Sequence, residues 1–277
     1  MIAIAPLLPR LPPLKIVDVG AMDLGEGTDP YDRLCASLPC EVLGFEPVAE
    51  ECGRRNAAAR AGFRFLPYVI GDGSEQTFHE CALTYNSSLL EPNMELLGEF
   101  TDFAALFEVV AKTRVRTRRL DDLAEVGVVD FLKIDVQGGE LMVLEGASRI
   151  LRGALIVHTE ACFAPLYRNQ PLFGDLDRHL RAGGFVLHKF VYFGGYPFKP
   201  MPLDQAGAVD QILWCDAVYA RNFESFHLLS ADQLLKLAAI AHENYASLGM
   251  AARALGEFDR KTGSAVQARY LGAVAAT

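Results

Sequence analysis

The chain lacks most of the features that would place it outside ordinary globular proteins. None of its apolar runs approaches the roughly 20 residues needed to cross a bilayer, so no membrane span is expected. Positive charge is in deficit: 26 Lys and Arg stand against 35 Asp and Glu, a formal net charge of −9. That balance argues against a phosphate-tracking surface and hence against a nucleic-acid partner. A neutral or cationic ligand suits it better. The six cysteines (Cys35, Cys40, Cys52, Cys81, Cys162, Cys215) form no Cys-x-x-Cys pair, which favours reduced, mostly buried thiols in a cytoplasmic protein over a disulfide framework or zinc site. No internal repeat and no low-complexity block is found. The N-terminal stretch carries Pro6, Pro9, Pro12 and Pro13 without a basic n-region or a small-residue cleavage site, so residues 1–13 read as an arm along the domain and not as a signal peptide.

What is present is an alternation of strand-length apolar runs with helix signals, the pattern of a mostly parallel sheet covered on both faces. Three runs end on glycine or a carboxylate. They are Leu14–Ala21, Val42–Pro47 and Asp130–Leu141, the last turning through Gly138-Gly139 into a helix. In open α/β sheets ligands sit outside the carboxyl ends of the strands, so these ends predict a site for a nucleotide-type ligand.

Between them, Asp29-Pro30 predicts a helix start, Pro47 a second helix ending near Gly62, and Phe63–Ile70 a third strand. Thr77–Leu83 is strand-like, and the segment around Met94 to Ala111 reads as helical within an insertion. Beyond the fourth strand, Leu141, Leu144, Ala147 and Leu151 share one helix face, and Ala154–Cys162 is the fifth strand. A helix over Phe173–Ala182 follows, then strands over Gly184–Phe193 and Gln211–Tyr219 joined by a loop rich in proline and glycine. With no helix between them, these last two pair antiparallel. Ser230-Ala231-Asp232-Gln233 is a capping box opening an amphipathic helix with Leu234, Leu237 and Ala241. Residues 222–277 form a C-terminal helical extension whose apolar stripe either packs on the domain or joins a second copy in a homo-oligomer.

Taken as an ordered set, Val17-Asp18-Val19-Gly20-Ala21, Gly44-Phe45-Glu46-Pro47, Arg119-Leu120-Asp121-Asp122-Leu123, the run Phe131 to Leu141 and Val143-Leu144-Glu145-Gly146-Ala147 resemble the FkbM family of class I S-adenosylmethionine-dependent methyltransferases. Weaker matches in Ala164-Pro165-Leu166-Tyr167 and Trp214-Cys215-Asp216-Ala217 extend the resemblance over residues 14–221. It implies a Rossmann-like α/β fold, a seven-stranded mostly parallel sheet with a terminal antiparallel pair and helices on both faces. It also implies S-adenosylmethionine as cofactor and O-methylation of a hydroxyl on a glycan or small secondary metabolite. Two positions depart from the family pattern: Met22 follows Ala21 where an asparagine is common, and Gln137 stands where many relatives carry glutamate.

The resemblance assigns cofactor contacts to Asp18, Gly20, Ala21, Glu46, Pro47, Asp72 and Asp135, with Asp18 either organising the turn or meeting the amino group of the cofactor. Glu46 accepts from the ribose hydroxyls, or else is a solvated carboxylate at a helix N-terminus. Asp72 accepts from the adenine amino group, or only closes a turn. Period-two alternation puts Ile156, His158 and Glu160 on one face of the fifth strand, and Asp135, Glu160 and His158 are the candidate catalytic residues. The alternative for His158 is a core histidine bonded within the sheet. His158-Thr159-Glu160 resembles the His-x-Glu of zinc deaminases, but no Pro-Cys-x-x-Cys follows, and no metal is assigned. Two other readings compete: a methyltransferase-like binding module without turnover, and a nicotinamide-dependent oxidoreductase. Gly20, Gly25 and Gly27 do not form the Gly-x-Gly-x-x-Gly that the latter requires.

Overall fold

The computed structural model describes residues 2–23, 25, 29–205 and 210–276. Leu24 and Gly27, part of the glycine turn read from the sequence, lie outside the described residues. Seven strands form the main sheet: β1 (Leu14–Val19), β2 (Cys40–Phe45), β3 (Phe63–Leu66), β6 (Phe131–Ile134), β7 (Ile156–Cys162), β8 (Phe185–Tyr196) and β9 (Gln211–Arg221). Their order is β3-β2-β1-β6-β7-β9-β8. The first five are parallel, and β9 runs antiparallel to both β7 and β8. This is the sheet the sequence predicts. From β1 the chain winds outward to β3, then returns to β6 on the other side of β1, so the order reverses at the β1/β6 boundary. That reversal opens a crevice at the strand ends.

Alternation along the strands divides the core in two. Ile16, Phe131, Ile156 and Val218 face one side; Val17, Leu132, Val157 and Tyr219 face the other. The second side is covered by α4 (Glu140–Glu145), α5 (Ser148–Gly153) and α6 (Phe173–Ala182). The helix expected to carry Leu141 through Leu151 is interrupted at Gly146, where a Cβ would come 2.9 Å from the Gly71 carbonyl oxygen. The first side is covered by α1 (Asp32–Ser37), which begins two residues after Pro30, and by α7 (Ala231–Glu243), α8 (Leu248–Thr262) and α9 (Val266–Ala275).

The capping box at α7 is formed in both directions: Gln233 N–H donates to Ser230 Oγ at 3.2 Å, and Ser230 N–H to Gln233 Oε1 at 3.0 Å. Leu234, Leu237 and Ala241 are fully buried against the sheet, so this stripe is not available to a second copy. Lys236 fastens α7 to the sheet through Asp130 at 2.7 Å, and Asp130 also accepts from Lys15 N–H at 2.8 Å. The N-terminal arm lies on these helices, with Ile4 buried and the Ile2 carbonyl 2.8 Å from His242 Nε2.

The segment around Met94 to Ala111 differs from its helical reading. Only α3 (Met94–Leu97) is α-helical; a 3-10 turn covers Ala104–Phe107, and Val109–Arg116 is a strand, β5, paired antiparallel with β4 (Glu75–Cys81). The helix-like recurrence of Leu97, Phe100, Phe103 and Phe107 has another cause. These side chains form a separate aromatic cluster with Tyr167 and Trp214. The β-branched Val109, Val110, Thr113 and Val115 then favour extended backbone. The third strand is also shorter than read: Pro67, without an N–H to donate, ends its ladder, and Ile70 makes an isolated bridge to Arg118. The remaining short helix, α2 (Ala49–Ala57), follows Pro47 as expected.

Candidate active site

Parallel register places Asp18, Lys133 and His158 side by side across β1, β6 and β7. Lys133 Nζ lies 3.0 Å from Asp18 Oδ1 and donates to the Gly20 carbonyl at 2.6 Å. Burial works to lower the Lys133 pKa, and the carboxylates of Asp18 and Asp135 outweigh it and push it up, so the ammonium stays charged. The second oxygen of Asp18 accepts from Tyr31 Oη at 2.9 Å. Asp18 is fully buried and does not reach the cavity described below. Its contacts hold the lysine and the turn.

That turn requires glycine. Gly20 has φ +83°, and a Cβ there would lie 1.7 Å from the Asp135 carbonyl oxygen. The β1 and β6 ends are thereby drawn together, with Asp135 N–H donating to the Val19 carbonyl at 2.9 Å. Above them opens a cavity of about 590 Å³. Gly20, Glu46, Pro47, Asp135, His158 and Glu160 all line it. Ala21, Asp18 and Asp72 do not. Ala21 packs against Cys52 and Phe65, and the Asp72 carboxylate closes its own turn by accepting from Ser74 N–H at 2.8 Å and Thr117 Oγ1 at 3.2 Å.

Glu46 stands at the end of β2. Its Oε1 accepts from Val48 N–H at 2.8 Å, and burial pushes its pKa up despite that bond. Beside it, Tyr68 stacks on Phe45 with centroids 6.1 Å apart and contributes to the cavity wall.

At the β6 and β7 ends the carboxylates crowd. Oxygens of Asp135, Glu140 and Glu160 all lie within 4.8 Å of one another. His158 is not in that group. Glu140 is anchored by the Val136 and Gly138 N–H groups, at 3.0 and 3.1 Å on Oε1, and burial pushes its pKa up to about 7. The Glu160 pKa is raised well above the ordinary value by burial and then by Asp135, Glu140 and Asp216. Gln137 stands between them: its Nε2 donates to Asp135 Oδ1 at 2.8 Å and to Glu160 Oε2 at 3.3 Å. A glutamate in its place would add a fourth carboxylate, so the departure from the family pattern has a physical role here. Gln137 takes φ +57° and is held by Tyr167 Oη at 3.2 Å and, at its carbonyl, by Ser88 Oγ at 2.6 Å. His158 is held at Nδ1 by Tyr245 Oη, 3.1 Å away, and its Nε2 lies 3.8 Å from Asp216 Oδ2.

Lys133 is a site residue that the sequence reading passed over; Gln137 stood in it only as a departure from the family pattern, and Asp216 only within a weak family match. Alternation from Phe131 would have placed Lys133 on the face of Asp135. The weak match around Asp216 gave no role for it, because its place opposite Glu160 depends on the β7/β9 register.

A family model described as the methyltransferase FkbM domain matches residues 18–187. No curated protein matches. Among solved structures, magnesium protoporphyrin IX methyltransferase from Synechocystis PCC 6803 with bound SAM is 13% identical, covering 79% of this chain and 76% of that one, with a TM-score of 0.41. An S-adenosylmethionine dependent methyltransferase from Mesorhizobium loti is 11% identical over 79% of this chain and 96% of that one, with a TM-score of 0.36. A Streptococcus pneumoniae protein titled a putative tRNA (m1A22) methyltransferase is 12% identical over 90% and 94%, with a TM-score of 0.38. No helix among the described residues is long and apolar enough to cross a membrane. The family match covers more than half of the chain, and the chain belongs to the FkbM family of S-adenosylmethionine-dependent methyltransferases.

Proposed function

We propose that this protein methylates a hydroxyl of a glycan or small secondary metabolite, binding its donor where β1, β2 and β6 end and using Glu160 as general base. One observation carries the reading: Gly20, Glu46 and Asp135, from three different strand ends, line a single cavity. The cavity also fits the donor. Its volume of about 590 Å³ falls within the range of roughly 300 to 1,000 Å³ of small-molecule sites. Glu46 keeps Oε2 for a ribose hydroxyl while Val48 occupies Oε1, the walls at Tyr68, Val69 and Ile70 suit a flat base, and the carboxylates of Asp135 and Glu160 suit a cationic centre.

S-adenosylmethionine supplies, when bound, a methyl group on positively charged sulfur. The chain's own residues do the rest. Gly20 lets backbone approach the ligand closely, Pro47 and Val48 wall the ribose end, and Asp18 and Ala21 fix the turn from behind. Asp72 supports the β3 turn without reaching the cavity. Gln137 fixes the positions of Asp135 and Glu160 together, and pre-organisation of this kind can supply about 7 to 11 kcal/mol. Glu160, with its pKa raised, accepts the proton of the acceptor hydroxyl. Asp135 faces the reacting centre beside it, and His158, tethered to Tyr245, orients the acceptor.

Isothermal titration with S-adenosylmethionine tests the reading. Binding to the wild type and at least a ten-fold weaker affinity in Glu46→Ala are expected; unchanged affinity in the variant removes the ribose contact.

A further inference from the structure

The charges on the cavity wall are one-sided. Asp29, Glu46, Asp135, Glu160 and Asp216 line it, and among the described residues Lys133 is the only lysine or arginine that does. Lys133 is already engaged by Asp18 and the Gly20 carbonyl. Two of the carboxylates have occupations of their own, Asp29 with Arg55 at 2.8 Å and Glu46 with Val48 N–H. Asp135 and Glu160 share the neutral Gln137 amide and Asp216 lies 3.8 Å from His158 Nε2, so the excess of negative charge sits at these three.

Glu160 and Asp216 are direct partners in the antiparallel β7/β9 ladder. Like charges in that position destabilise a sheet, and both side chains line the cavity. The corner already assigned to the sulfonium lies between Asp135 and Glu160, so the charge left over for an acceptor is that of Asp216. Asp216 is on β9, two strands from β6, or about 10 Å at the usual strand spacing. Its side chain is 34% exposed, so a ligand can reach it. Two aromatic residues neighbour it in the sheet and line the same cavity: Trp214 is two residues away along β9, and Tyr192 is its cross-strand partner on β8. Tyr192 and Tyr85 stand 54% and 50% exposed on the same cavity. Ring faces attract cations.

We infer that the acceptor half of the cavity takes a hydroxylated molecule bearing a protonated amine, with Asp216 as its specificity-determining partner and Tyr192 and Trp214 as its aromatic wall. This rests on the methyltransferase reading of the cavity. An anionic acceptor would meet the same carboxylates with like charge, and a neutral one would leave the Asp216 charge uncompensated. An ammonium group on the acceptor compensates it and sets the molecule's hydroxyl toward Glu160.

The test is isothermal titration on the full chain preloaded with S-adenosylhomocysteine, using three phenols of similar size: tyramine, 4-ethylphenol and 3-(4-hydroxyphenyl)propionate. Tyramine is expected to bind at least ten-fold more tightly than 4-ethylphenol, and the propionate not to bind. Asp216→Asn, which removes a repulsion and so should fold, is expected to weaken tyramine at least ten-fold and leave 4-ethylphenol unchanged; Tyr192→Leu is expected to weaken tyramine as well. Absence of tyramine binding, equal or tighter binding of either other phenol, or an unaltered tyramine affinity in Asp216→Asn overturns the inference. If S-adenosylhomocysteine itself does not bind the wild type, the donor site fails first and takes the inference with it, an outcome visible before any phenol is added.

Discussion

The two sides of the cavity treat buried charge in opposite ways. On the β1/β2 side each acidic group has a partner of its own: Asp18 has Lys133 and Tyr31, Asp29 has Arg55, and Glu46 has the Val48 N–H. On the β6/β7/β9 side Asp135 and Glu160 share one amide, that of Gln137, with Glu140 within 4.8 Å of both and Asp216 opposite Glu160 in the sheet. Breaking a buried pair leaves an uncompensated charge, whereas removing one member of a like-charged group relieves strain. The first side is therefore internally compensated, and the second carries an excess of carboxylates.

The largest expected effect breaks the compensated side. Lys133→Met leaves Asp18 fully buried without its cation, and urea unfolding should show a loss of about 3 to 5 kcal/mol. Glu160→Gln acts on the opposite side and should separate activity from stability: methyl transfer falls by about 100- to 10,000-fold, with stability unchanged or raised.

The pH dependence sharpens the same contrast. A base must be deprotonated to act, and burial with three neighbouring carboxylates raises Glu160, so the acid limb of kcat/KM should lie above the ordinary carboxylate range and disappear from the residual rate of Glu160→Gln. Stability should move the other way. Glu140 binds its proton more tightly in the folded chain than in the unfolded one, so its contribution is fully present below the usual value of 4.5 and is lost as pH rises through about 7. In Glu140→Gln, which keeps the oxygen that Val136 and Gly138 bond, thermal melts should show a flatter decline across that window. The smallest effect is at the rim: Asp216→Asn should stabilise by up to about 1 kcal/mol, since it removes a like-charged cross-strand pair.

The same division governs what could be read from the sequence. The parallel strands were legible because each is a short apolar run bounded by turn residues, and α6 was found at its observed bounds, Phe173–Ala182, from the spacing of Leu176 and Leu180 and the Gly183-Gly184 stop. Strand-end carboxylates in the family motif, Glu46 and Asp135, were found for the same reason. Residues 94–116 were not, because aromatic residues spaced for a helix pack instead as a tertiary cluster around Phe103, whose ring stacks 3.9 Å from that of Tyr196. Asp18 and Asp72 show the converse. Their positions along the chain were legible, but their partners, Lys133 and Tyr31 in one case and Ser74 and Thr117 in the other, turn each carboxylate away from the cavity.

A crystal structure of the complex with S-adenosylhomocysteine tests the central claim most directly. The account predicts the ribose against Glu46 and the sulfur in the corner between Asp135 and Glu160, with Asp18 still bound to Lys133. Ribose density away from Glu46, or a sulfur directed out of that corner, would contradict it.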